Sequence, residues 1–162
     1  GARDLLAGAR HLRPAPPGDY HAPTMSYVEL IRDDYMRRND LNCAEAMLYA
    51  GNEAYGLGLS KEALKVTAGF GGGLGTEHLC GAASGAVMLL GVLFAEERGH
   101  TSAKLAALRD EFLRRFTERF GKLDCAHVKA HHRSLYSGCQ PVVEGAAEIV
   151  DDIVGRERGA AT

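Results

Sequence analysis

The sequence predicts an all-α fold: a single-domain bundle of about six helices around a central helix rich in Gly and Ala. Three observations carry this. Apolar residues recur at helical spacing in several separated segments. Most segments begin at a capping residue and are followed by Gly or Asn. No stretch alternates apolar and polar residues as a half-buried strand would, and no internal repeat is present.

The elements can be justified in order. Ser26 and Glu29 make a capping box, and Val28, Ile31 and Tyr35 share one face of a first helix that runs to about Arg38, before Asn39-Asp40. Asn42 and Glu45 repeat the box and put Cys43 at the first position of a second helix, with Met47, Ala50 and Ala54 on its inward stripe. Gly56-Leu57-Gly58 ends it. Ser60 opens a short third helix to roughly Ala68, which runs into Gly69-Phe70-Gly71-Gly72-Gly73-Leu74-Gly75, where five of seven residues are glycine. The central helix starts between Glu77 and Cys80 and ends before Gly99. Thr101 or Ser102 opens a fifth, with Leu105, Leu108, Phe112 and Phe116 inward and Gly121 at its end. Asp124 is an N-cap that places Cys125 at the first position of a short sixth. Pro141 suits the first turn of a last helix, with Val142, Ala146, Ile149 and Ile153 facing in and Cys139 just ahead.

Bulk properties narrow the function classes. The 162 residues, 46% hydrophobic and 25% charged, fit one domain with a real core. A formal charge of −2 without a long basic run argues against a nucleic-acid surface. Leu79 to Ala95 gives 17 residues without a charge, at the short limit for a membrane span, but its Gly, Ala and Ser content reads as a buried helix. Gly81 and Gly85 make a small-xxx-small pair that allows close helix approach in any medium. Residues 1–24 are polar, contain RPAPPGDYHAPT and lack an apolar signal core; they read as a disordered lead-in or cloning remnant, leaving 25–162 as a four-cysteine helical domain. A chain this long with four cysteines is unlike a small stapled secreted domain, so a reducing cytoplasm is the expected location.

The chemistry concentrates in Cys43, Cys80, Cys125 and Cys139, all at or beside a predicted helix N-terminus. Unpaired N–H groups and the macrodipole there favour negative charge, and thiol pKa values near ~8.5 fall in such settings. If the four starts converge, they suit an anionic iron–sulfur cluster, with Gly73 and Gly81 bringing backbone close to it. The intervening segments of 36, 44 and 13 residues contain no C-x-x-C knuckle. Zinc on the same four cysteines, or no cofactor, stays open. So does a thiol–disulfide protein in which Cys80 attacks and Cys125 pairs with Cys139; no residue is otherwise assigned a catalytic role. Four independent buried thiols are the plain structural alternative. His78, His127, His131 and His132 read as solvated or half-buried side chains. No G-x-G-x-x-G, Walker Lys-Ser/Thr, G-x-S-x-G or H-E-x-x-H motif is present.

Asn42-Cys43-Ala44-Glu45, the loop GFGGGLG, Cys80-Gly81-Ala82-Ala83-Ser84-Gly85-Ala86, then Cys125 and Cys139 in that order resemble the C_GCAxxG_C_C family of redox-active proteins, from about Met25 to the last helix. Leu79 and Gly81 flank Cys80 where the family label spells Gly and Ala. The resemblance implies a redox role for the four cysteines. A similar domain is associated with an iron–sulfur cluster in split-Soret cytochromes c, which favours a cluster over a disulfide by analogy. No C-x-x-C-H haem attachment site is present. The expectation is a small electron-transfer protein whose partner is a larger oxidoreductase, with a homo-oligomer left open.

Overall fold

The computed structural model describes residues 25–160; the lead-in assigned to residues 1–24 lies outside the described residues. Eight α-helices follow in order: α1 (Tyr27–Arg32), α2 (Tyr35–Arg38), α3 (Cys43–Tyr55), α4 (Lys61–Lys65), α5 (Gly81–Phe94), α6 (Ala103–Phe120), α7 (Cys125–His132) and α8 (Gln140–Gly159). Among the described residues there is no strand, and the all-α reading holds.

The first helix is not continuous to Arg38. Asp34 adopts a left-handed backbone (φ 58°) and separates α1 from α2. Acidic and amide side chains accept this region more readily than others, so the Asp33-Asp34 pair, read as helix interior, is a break. The third predicted helix is also shorter than expected: α4 ends at Lys65, and a 3₁₀ turn at Ala68–Phe70 leads into the glycines. The other starts fall where the caps put them. Both capping boxes form, and Asp124 accepts a bond from the His127 N–H (2.9 Å).

Helix α5 is the hub, packed against α3, α6 and α8. Gly81 to Ala86, Leu89 and Leu90 are buried. Phe112, Phe116 and Phe120 of α6 and Val142, Val143, Ala146 and Val150 of α8 close the core around it. Small residues set its spacing from α3. A Cβ on Gly85 would lie 2.5 Å from the Ala44 carbonyl oxygen, and one on Gly51 would lie 2.7 Å from a Leu89 methyl. No helix is long and apolar enough to cross a membrane among the described residues.

Candidate redox site at four helix starts

Cys43 and Cys125 are the first residues of α3 and α7, and Cys80 and Cys139 are the N-caps of α5 and α8. Cys80 and Cys125 are buried, Cys43 and Cys139 half-buried, and all four are free thiols. The Cys43 sulfur is close enough to the other three that charge on it would raise each of their pKa values. Cys125 is similarly coupled to Cys80 and to Cys139. Four residues spread over most of the chain are thus electrostatic neighbours.

The Cys43 corner rests on Asn42. Its Oδ1 accepts from the Ala44 and Glu45 N–H groups (2.9 and 3.1 Å), while its Nδ2 donates to the Ala68 carbonyl (3.0 Å). The same amide therefore caps α3 and ties it to the segment entering the glycine loop. Gly81 completes this corner. A Cβ there would collide with the Cys43 Sγ and come within 3.0 Å of the Phe70 carbonyl oxygen. Its lack of a side chain lets the starts of α3 and α5 meet.

The Cys80–Cys125 corner is held by a backbone clasp that sequence patterning did not reveal. Leu79 and Asp124 form an isolated antiparallel bridge. The Cys80 N–H donates to the Leu123 carbonyl (2.8 Å), and the Cys125 N–H donates to the His78 carbonyl (2.5 Å). Side chains alternate across extended backbone, so Cys80 and Cys125, each one residue past the bridged pair, leave on the same side of the clasp.

The glycine loop closes over Cys125. Gly72, Gly73, Leu74 and Gly75 have φ values of 60°, 64°, 62° and 70°, one left-handed turn in a chain of L-residues. Glycine makes this accessible, whereas Leu74 costs on the order of 1–2 kcal/mol in that region. At Gly73 the requirement is double: beyond its positive φ, a Cβ would sit 2.6 Å from Cys125 Cβ and 3.3 Å from its Sγ. Gly73 and Gly81, the two glycines assigned to this site, therefore lie directly against cysteine side chains.

Electrostatics correct one expectation. Helix starts were expected to lower the thiol pKa values, yet burial dominates. It pushes Cys80 up to about 12, against the opposing pull of the Ala83 and Ala82 N–H groups, which bear on the sulfur without closing a geometric cap bond. Burial likewise raises Cys125 and Cys139. Lys129 works against it at Cys125, and Arg133 and Lys129 do so at Cys139. Lys129 also spans the mouth of the loop, its Nζ 2.6 Å from Glu77 Oε1. Neither cation was picked out from sequence. Their positions on and just after α7, one helical turn apart, were the only available signal.

The four histidines near the site are exposed or half-buried, as expected. His78 is exposed and contributes its carbonyl, not its ring, to the clasp. His127 and His131 stack on each other with centroids 4.3 Å apart, and His132 packs edge-on against Phe120. Among the described residues, no three His, Cys, Asp or Glu side chains are gathered tightly enough to hold a single metal ion.

The family model described as "Putative redox-active protein (C_GCAxxG_C_C)" matches residues 41–153, well over half of the chain. The chain belongs to the C_GCAxxG_C_C family. The match takes in all four cysteines together with the glycine loop and the clasp. For this family member no curated protein and no solved structure gives a match.

Proposed function

We propose that this redox-active family member uses Cys43, Cys80, Cys125 and Cys139 to hold an iron–sulfur cluster, and that it transfers electrons to or from a larger oxidoreductase in a reducing cytoplasm. The observation that carries the reading is the arrangement of the thiols: four helix starts, with Cys43 in electrostatic reach of every other cysteine.

The donor set fits such a group. It consists of thiols alone, which suit iron–sulfur chemistry, and Gly73 and Gly81 keep side-chain bulk away from the sulfurs. A bound cluster supplies one-electron redox chemistry at a tuned potential. The chain's own contribution is to supply four thiolates, exclude water around Cys80 and Cys125, and present positive backbone dipoles. Lys129 adds a cation that favours negative charge at Cys125 and Cys139. Dipoles and cations of this sense stabilise the more reduced state and raise the potential. Burial that opposes free thiolates also gives the metal-free thiols reason to stay protonated until metal displaces the protons.

The thiol–disulfide rival has less support. A resting nucleophile at Cys80 is disfavoured by a pKa pushed up to about 12. Anaerobic reconstitution with iron and sulfide, followed by visible absorbance and analysis of iron and acid-labile sulfide, tests the proposal. Charge-transfer bands lost in each Cys→Ser variant are the expected result. A colourless protein, or one that keeps its full cluster without Cys43, would overturn it.

A further inference from the structure

We infer that the turn between α7 and α8 is a docking surface for an acidic redox protein; the redox nature of that partner rests on the function proposed above, while the surface itself does not. Leu135 and Tyr136 sit at the tip of this turn, 98% and 97% exposed. No other described large apolar residues approach that exposure; the next, Val66, is at 61%. Isolated exposed apolar residues are ordinary, but two adjacent ones on a fixed turn are not.

The turn is built, not loose. Ser134 and Gly138 exchange both backbone bonds (Ser134 N–H to Gly138 carbonyl 2.8 Å, the reverse 3.1 Å). The Ser134 Oγ accepts from the Tyr136 and Ser137 N–H groups at 3.1 and 3.2 Å. Gly138 supplies the positive φ of 58° that returns the chain to Cys139. Four internal hydrogen bonds hold two apolar side chains in water, where nothing within the molecule repays their hydration. A preorganised aromatic tip is what protein interfaces use as an anchor, because little side-chain entropy is lost on binding.

Charge selects the occupant. From Gly121 to Cys139 the chain carries Lys122, Lys129 and Arg133 against one acid, Asp124, which is engaged as the α7 cap. Lys129 is paired with Glu77 (2.6 Å), so among the described residues Arg133 is the cation beside the turn outside any ion pair. Lys129 and Arg133 flank a cavity of about 360 Å³ beside Ser134 and Leu135. No carboxylate lines it, although the molecule as a whole is net acidic at −2. A symmetric second copy would bring Arg133 against Arg133, so the electrostatics favour a different, acidic surface with an apolar centre. Cys139 directly follows the turn, so a partner seated there lies beside one of the two half-buried thiols of the candidate site.

The full chain, ¹⁵N-labelled, is titrated with an acidic plant-type ferredoxin as the probe and a basic cytochrome c as the control, both before and after reconstitution. Ferredoxin is expected to move the amide signals of residues 133–138, and cytochrome c is not. Arg133→Glu and Tyr136→Ala, both on exposed positions, should each weaken ferredoxin binding about tenfold, and so should raising the salt to about 0.5 M. Ferredoxin shifts elsewhere or absent, an equal response to cytochrome c, or turn signals that move with the concentration of the chain alone would each overturn the assignment. The titration is read on the thiol form too. Failure to take up iron therefore sinks the cluster reading and leaves this surface standing, whereas a loaded protein with an indifferent turn does the reverse.

Discussion

Two interfaces of the bundle are held together by opposite means. Where α3 meets α5, side chains are absent: Gly81 lies against Cys43, and Gly85 against the Ala44 backbone. Where α6 meets α8, long charged side chains reach across the outside: Arg115 to Asp152 (2.7 Å), Arg119 to Glu148 (2.6 Å) and Arg156 to Glu111 (2.8 Å). The first contact is dry and fixed to fractions of an ångström. The second is partly solvated, where each pair contributes ~0–1 kcal/mol and is screened by salt. Precision is thus concentrated at the end that carries the cysteines, and the α6–α8 flank is tolerant.

Breaking the dry contact should have the largest effect. Gly81→Val forces branched carbons into Cys43 Sγ and the Phe70 carbonyl, and should cost roughly 3 kcal/mol or abolish folding; urea denaturation of the metal-free protein measures it. A variant of unchanged midpoint would mean that α5 can move away from α3 without penalty. Gly73→Ala combines a strained positive φ with a contact on Cys125, and should cost about 2 kcal/mol. Asn42→Ala removes the α3 cap and the tie to Ala68, for about 1 kcal/mol. In the solvated flank, Asp152→Asn should shift stability by less than about 0.5 kcal/mol, and even that should fade in salt. A flank variant that cost as much as Gly73→Ala would reverse the ranking.

The thiols sharpen the same contrast through pH. The Cys80 pKa in the folded chain, about 12, lies above the ~8.5 of an exposed thiol, because burial penalises the thiolate. The folded state then holds its proton longer than the unfolded state. That stability is fully present below about pH 8.5 and is lost as pH rises toward 12. Cys125 and Cys139 are shifted in the same direction. Metal-free protein should therefore lose urea resistance between about pH 8 and 10, with a shallower slope for Cys80→Ala.

Local chemistry was legible in the sequence and non-local geometry was not. Asn42 with Glu45, Asp124, and Pro141 after Cys139 each announce a helix start within a few residues. Since these signals are short-range, Cys43, Cys125 and Cys139 could be placed at helix starts before any coordinates, and Cys80 followed only from where the apolar run begins. Asp33-Asp34 misled because the apolar face of α1 continues into α2 through Tyr35, and only a backbone angle reveals the break. The Leu79–Asp124 clasp joins segments far apart in the chain and has no periodic signature at single-residue length. The thiol pKa values went the other way because burial is a property of the packed whole, and at Cys80 it outweighs the pull of α5's first N–H groups.

That clasp has a consequence for how the molecule comes apart. Cys80 and Cys125 each donate their own amide across it, so neither sulfur can leave without releasing a hydrogen bond that also positions the other. Their two amide protons should be traded with deuterium at one common rate, as a single opening event. For the cluster proposed above, its loss and a locally melted backbone would then be the same state of the protein, and the clock that sets its working lifetime would be the opening of one two-rung ladder.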